Sequence, residues 1–211
     1  PDHPGPVESD RIREATGIEP ERPIVLYQGG FSVDRGVEEL VAAASQPPLM
    51  ELGAAVVFMG YGWVEPFIAD AVAELPGRIY LLPAVRPDDL MPWTASSDVS
   101  FVGQPPRTLN QKMNLPNKLF ESIMAGVPVV VSEGNEQCRL TTAEAIGVCV
   151  DIDDPAAIAA ACADLLAAPS DERRTLRAHC REVALARYTW DHTAVGVVGL
   201  YRKLAREGGA A

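Results

Sequence analysis

Six short apolar runs recur along the chain, at residues 23–27 (PIVLY), 54–59 (AAVVFM), 78–82 (RIYLL), 99–102 (VSFV), 128–131 (PVVV) and 147–150 (GVCV). They are rich in β-branched residues and apolar at successive rather than alternate positions. Both faces of each run are therefore expected to be covered, as in the strands of a parallel sheet. Amphipathic stretches at 37–45, 63–75, 87–95, 116–125, 155–168, 170–187 and 190–206 predict helices between and after them. Their ends carry the expected signals. Pro76-Gly77 stops the second, Asp88 and Asp89 sit in the first turn of the third, Gly126 follows the fourth, and Asp154 precedes Pro155 at the fifth. This alternation predicts a doubly wound α/β domain with a parallel sheet of about six strands. The main domain is expected over 23–188. A linker with a lead-in helix occupies 1–22, a separate C-terminal helix 189–207, and a tail without regular structure 208–211.

In open α/β sheets ligands bind beyond the carboxyl ends of the strands, and four loops leave those ends. The first, 28–36, places Gly29 and Gly30 after a strand and Arg35 at the start of a helix. Adjacent glycines permit close backbone approach. A cation at a helix N-terminus is unfavourable unless an anion sits nearby, although a solvated arginine in an ordinary turn fits as well. The second, Gly60-Tyr61-Gly62, suits a tight turn with or without a ligand. The third, 83–87, includes Ala84, Val85 and Arg86; it either presents backbone groups to a flat base or simply connects strand to helix. The fourth, 103–115, is about thirteen residues long and feeds the helix beginning PNKLFESIMA. Free N–H groups at that helix start form an anion site. Lys118 adds a cation there, either for a ligand or to pair with Glu121 at i,i+3.

Composition narrows the partners. The chain has 211 residues, 47% hydrophobic and 22% charged, with a net charge of −11. Such an acidic balance does not suit binding to nucleic acid backbones, but a small phosphate ligand needs only two or three donors. No apolar run is long enough to span a bilayer, and residues 1–10 lack the pattern of a signal peptide. Cys138, Cys149, Cys162 and Cys180 show neither Cys-x-x-Cys nor metal-ligand spacing, so all four are expected to be free thiols in a reducing compartment, with no metal bound.

The run from Pro116 to Val130, PNKLFESIMAGVPVV, resembles the donor-site helix of the group 1 (family four) retaining glycosyltransferases. YQGGF at 27–31 followed by Arg35-Gly36 is similar to that family's first glycine-rich loop. VFMGYG at 57–62 is similar to its second-strand glycine motif. The three occur in the family's order, and the resemblance runs from about Ile24 to Leu166. It implies that the Rossmann-like domain is the C-terminal half of a GT-B fold, holding a UDP- or GDP-type nucleotide sugar as donor substrate without a cofactor. The acceptor domain would lie on an absent N-terminal half, and the last helix would pack on it, otherwise exposing Val195, Val198 and Leu200. By the same resemblance, Glu121 would accept hydrogen bonds from the ribose hydroxyls. Arg35 and Lys118 would contact the diphosphate. Gly29, Gly30 and Gly60 would line the cleft, Ala84, Val85 and Arg86 would meet the base through backbone, and Asn114 and Leu115 would offer N–H groups to the distal phosphate.

One position departs from the pattern. Met113 stands eight residues before Glu121, where the family carries a glutamate that touches the donor sugar. The implied activity is hexosyl transfer with retention and without a metal, in the cytoplasm and at the inner membrane face if the absent half is a peripheral membrane anchor. The isolated chain is expected to be inactive. A non-catalytic nucleotide-binding or assembly module and a nucleotide-sugar epimerase share the architecture and remain as alternatives.

Overall fold

The computed structural model describes residues 9–208. A six-stranded, wholly parallel sheet forms the centre, in the order β3-β2-β1-β4-β5-β6. The strands are β1 (Ile24–Phe31), β2 (Ala55–Gly62), β3 (Ile79–Pro83), β4 (Val99–Val102), β5 (Val129–Ser132) and β6 (Gly147–Val150). All six predicted strands are present. Alternate residues along them enter different cores, as a pleated strand requires. Val25, Tyr27, Val56, Phe58, Val99, Phe101 and Val130 point to one face. Ile24, Leu26, Ala55, Val57 and Met59 point to the other at one end of the sheet, and Val102, Val129 and Val131 at the other end.

Helices cover both faces. The first face receives α2 (Val37–Ala43), α3 (Pro47–Glu51), α4 (Glu65–Glu74) and α9 (Pro155–Ala167), through side chains such as Leu40, Leu49, Ile68 and Ile158. The second receives α1 (Arg11–Thr16), α5 (Leu90–Ala95), α7 (Asn117–Met124), α8 (Glu136–Glu144) and α10 (Ser170–Arg187). The short α6 (Leu109–Met113) lies inside the long fourth loop. Helix α11 (Trp190–Gly208) leaves Val195, Val198 and Leu200 exposed at 74%, 43% and 57%. Gly126, just past α7, adopts φ +72°, and Asp154 accepts from the backbone N–H groups of Ala156 and Ala157 at the start of α9. Both boundary signals thus act as their residue types predict.

The structure corrects several expectations. The glycines at 29, 30 and 60 do not follow their strands but lie in them, because pairing continues through Gly29–Gly60, Gly30–Tyr61 and Phe31–Gly62. The buried Phe31 ring, in edge contact with Phe58, holds the strand end down. Gly60 is required there, since a Cβ on it would collide with the Gly29 carbonyl. The helix expected at 87–95 begins as a single 3₁₀ turn, Pro87–Asp89, before α5. The four cysteines are not all free. Cys138 of α8 and Cys149 of β6 form a disulfide with Cα atoms 5.5 Å apart, within the usual range for such a bridge. Cys162 and Cys180 are free and buried.

Candidate functional site

Strand order reverses between β1 and β4, the inner pair from which the chain winds outward in both directions. Loops leaving these two strands diverge, so a crevice opens at their carboxyl ends. The loop after β1 carries Arg35. The loop after β4 leads through α6 to the N-terminus of α7, which carries Lys118 and Glu121. Helix α7 starts at Pro116 in an extended conformation with no side-chain cap, which leaves first-turn N–H groups without side-chain acceptors. Leu119, Ser122 and Ile123 turn inward to the core. Lys118 and Glu121, on the remaining face, are thereby presented towards β1.

Lys118 folds over the end of β1. Its ammonium nitrogen lies 3.9 Å from the centroid of the Tyr27 ring, a cation–π contact. A Cβ added at Gly29 would stand 3.6 Å from Lys118 Cε, and Gly29 itself adopts φ +108°, so a bare, left-handed backbone forms the floor beside the amine. The Lys118 nitrogen is screened from solvent yet has no hydrogen-bond partner among the described residues. Burial, and secondarily the positive charge of Arg35, lower its pKa to about 7, against the opposing pull of Glu121. A buried amine without an acceptor is costly on its own and suits a site that an anion completes. Arg35 makes no hydrogen bond or salt bridge with the described residues. The adjacent Asp34, in a left-handed conformation at φ +58°, is gripped by Arg107 at 2.6 Å, which also binds Asp153 at 2.7 Å.

Glu121 is held from below. Gln28 Nε2 donates to its Oε2 at 2.9 Å, and the Thr94 hydroxyl donates to Gln28 Oε1 at 2.7 Å. Gln28 and Thr94 are buried. Burial raises the Glu121 pKa, while the Gln28 hydrogen bond and the Lys118 charge act against that rise. Among the described residues only one oxygen of Glu121 is engaged by a hydrogen bond, so the other can accept from a ligand. A second network fixes the approach to α7. Asn114 Nδ2 and Gln137 Nε2 both donate to Gln104 Oε1, at 3.1 and 2.9 Å, and the Gln104 N–H donates to Ser132 Oγ at 2.7 Å. Asn114 is thus tied to the ends of β4 and β5, and Leu115 packs against the second-face core. Met113, the last residue of α6, is 64% exposed.

The structure gathers Gly29, Gly30, Gly60, Arg35, Lys118, Glu121, Asn114 and Leu115 around this crevice. Ala84, Val85 and Arg86 lie on the same rim but farther out, beyond edge strand β3; Ala84 is exposed, and Arg86 pairs with Asp89 at 3.3 Å rather than with any of the others. Sequence reading missed Gln28, Thr94, Gln104 and Arg107 as supports. Among the described residues no group of three or more His, Cys, Asp and Glu side chains is placed to hold a metal, and no helix is long and apolar enough to cross a membrane. A cavity of about 1050 Å³ opens at the opposite, amino ends of the strands and contains none of the predicted residues. The crevice is preferred as the functional site because the uncapped helix, the glycine floor and the unpartnered amine converge there.

Fold and site together define a GT-B-type α/β domain. The chain belongs to the group 1 glycosyl transferases, whose family pattern matches residues 22–168. It is 25% identical over 203 residues to an uncharacterised glycosyltransferase of Methanocaldococcus jannaschii, covering 95% of this chain and 50% of that protein. It is 28% identical over 211 residues to a D-inositol 3-phosphate glycosyltransferase of Xylanimonas cellulosilytica, covering 95% and 48%. Among solved structures, a sucrose-phosphate synthase from Thermosynechococcus elongatus superposes with a TM-score of 0.75 at 25% identity, covering 92% of this chain and 48% of that one. Anabaena HepE, solved in complex with UDP-glucose, shares the fold with a TM-score of 0.68 at 16% identity, covering 96% and 52%. The chain spans about half the length of the curated relatives it matches.

Proposed function

We propose that this chain is the donor-binding half of a retaining glycosyltransferase that uses a nucleotide diphosphate sugar. The observation that carries the reading is the Lys118 amine, buried and without an acceptor beside the Gly29 backbone. A diphosphate laid over Gly29 and Gly30 would meet Lys118 and Arg35 together with the uncapped start of α7. The ribose hydroxyls would donate to Glu121, and the base would extend along 84–86, meeting it through backbone. That a chain of this fold was solved with UDP-glucose is consistent with such a placement.

When the anomeric C–O bond breaks, negative charge develops on the departing diphosphate. Arg35, the protonated form of Lys118 and the helix N–H dipoles at this end of the crevice would stabilise that charge and lower the barrier. This charge stabilisation is assigned to Arg35 and Lys118, and needs no metal. Glu121 positions the nucleoside. The acceptor and any group that directs retention belong to the other half of the protein, so the isolated chain binds donor but transfers no sugar.

Calorimetric titration of UDP and GDP into the chain tests this reading. One site is expected for at least one of the two, weakened about tenfold or more in Lys118→Met, as for loss of a charge-assisted hydrogen bond. Absence of binding at millimolar concentrations of both would favour an assembly role for the domain.

A further inference from the structure

The 1050 Å³ cavity lies between α10 and the amino ends of β4 and β5, on the side of the sheet away from the crevice. Its wall carries five arginines, at 11, 173, 174, 177 and 181, against three carboxylates, Asp10, Glu14 and Asp98. This is a positive pocket in a chain of net charge −11. The carboxylates are already engaged: Asp10 and Asp98 with Arg13 at 3.8 and 3.6 Å, and Glu14 with Arg11 at 3.6 Å. Asp98 also accepts the Ile24 N–H at 2.9 Å. Two arginines brace the wall. Arg177 donates to the carbonyls of Ser97 and Ala95 at 2.7 and 3.0 Å, and Arg181 to that of Met124 at 2.5 Å, stitching α10 to the ends of α5 and α7.

Arg173 and Arg174 differ from these. Neither side chain makes a hydrogen bond or ion pair with the described residues, and the Arg173 Nε is screened from solvent with no acceptor among them. Burial lowers the pKa of Arg177, against the opposing pull of Asp98, and the nearby charges of Arg173 and Arg13 add a smaller push in the same direction as burial. Guanidinium groups held this way match oxyanions in geometry as well as charge.

We propose that this groove is a second ligand site, binding a small, multiply charged oxyanion with phosphate or carboxylate groups through Arg173 and Arg174. The occupant is a compact soluble ion, since the arginines line a concavity rather than an open face. The site stands independently of the donor crevice, with which it shares no residue.

The test is calorimetric titration of inorganic tripolyphosphate and of citrate, at low salt, into the chain carrying Arg35→Gln and Lys118→Met, so that the crevice contributes nothing. Saturable binding of either probe is expected, weakened about tenfold or more by adding Arg173→Gln and Arg174→Gln, and reduced by raising salt. Arg174→Gln alone, at an exposed position with no structural bond, should weaken binding while leaving the melting temperature unchanged. Absence of saturable binding by both probes at millimolar concentration would overturn the proposal. So would binding indifferent to both arginines.

Discussion

Replacing Lys118 with Met should stabilise the ligand-free chain while removing its ability to bind a nucleotide diphosphate. The ammonium nitrogen is screened from solvent, lacks an acceptor and is held beside the Arg35 charge, and its pKa falls from 10.5 to about 7. The unfolded chain keeps this amine protonated up to about pH 10.4. Between these values the unfolded state binds the extra proton, so stability rises with pH across this window. Below pH 7 the fold carries the full cost of the charge, with a ceiling of about 5 kcal/mol. The Tyr27 ring face offsets part of that cost, and methionine fills the same space without a charge. A gain of about 2–4 kcal/mol is expected for the variant at pH 7. The difference should shrink towards zero as pH rises to about 10.4, where both states of the wild-type lysine lose their proton. Urea unfolding followed by tryptophan fluorescence, on both proteins in steps from pH 7 to 10.4, measures this directly. A difference that stays constant with pH, or a wild type that loses ground to the variant as pH rises, would refute the reasoning.

Other outcomes follow from the same geometry. Glu121→Gln should weaken nucleoside diphosphate binding by about tenfold or more, and should weaken the phosphate-free nucleoside equally, because the loss falls on the ribose; paired titrations check this. Gln28→Leu removes the link between Thr94 and Glu121; the Thr94 hydroxyl keeps the Leu90 carbonyl as acceptor, but the half-buried Glu121 carboxylate loses its donor, so a loss of about 1–3 kcal/mol is expected in chemical denaturation. Reduction of the Cys138–Cys149 bridge, which closes a short loop between α8 and β6, should cost up to about 3 kcal/mol on the chain-entropy account; unfolding with and without reductant measures it.

The strands were legible because a sheet covered on both faces leaves an unbroken apolar trace in the sequence. Helices that bury apolar stripes were legible too. Those that bury polar residues were not. Helix α8 puts Gln137 and Thr141 into the interior beside Leu140, so its hydrophobic periodicity is faint and predicts no helix over 136–144. Helix α3 begins Pro47-Pro48, which reads as a breaker although proline is well tolerated in a first turn. Helix α6 buries no residue, so its capping box, Thr108 with Gln111, is its main signal in the sequence. At the site, the ligand-facing positions Lys118, Glu121 and Arg35 drew attention as charges at helix starts next to glycines. Their supports did not. Gln28 within an apolar strand and Thr94 in a helix carry no local sign of a shared partner, since the contact joins residues 66 positions apart. The Cys138–Cys149 pairing is likewise a product of the β5–α8–β6 turn, and spacing alone does not specify it.

A crystal of the chain soaked with UDP or GDP, whichever binds, tests the central claim most directly. The account predicts a diphosphate over Gly29 and Gly30, within hydrogen-bonding distance of Lys118 Nζ and the Arg35 guanidinium, with a ribose hydroxyl on Glu121. A nucleotide bound elsewhere, with the Lys118 amine still without a partner, would contradict it.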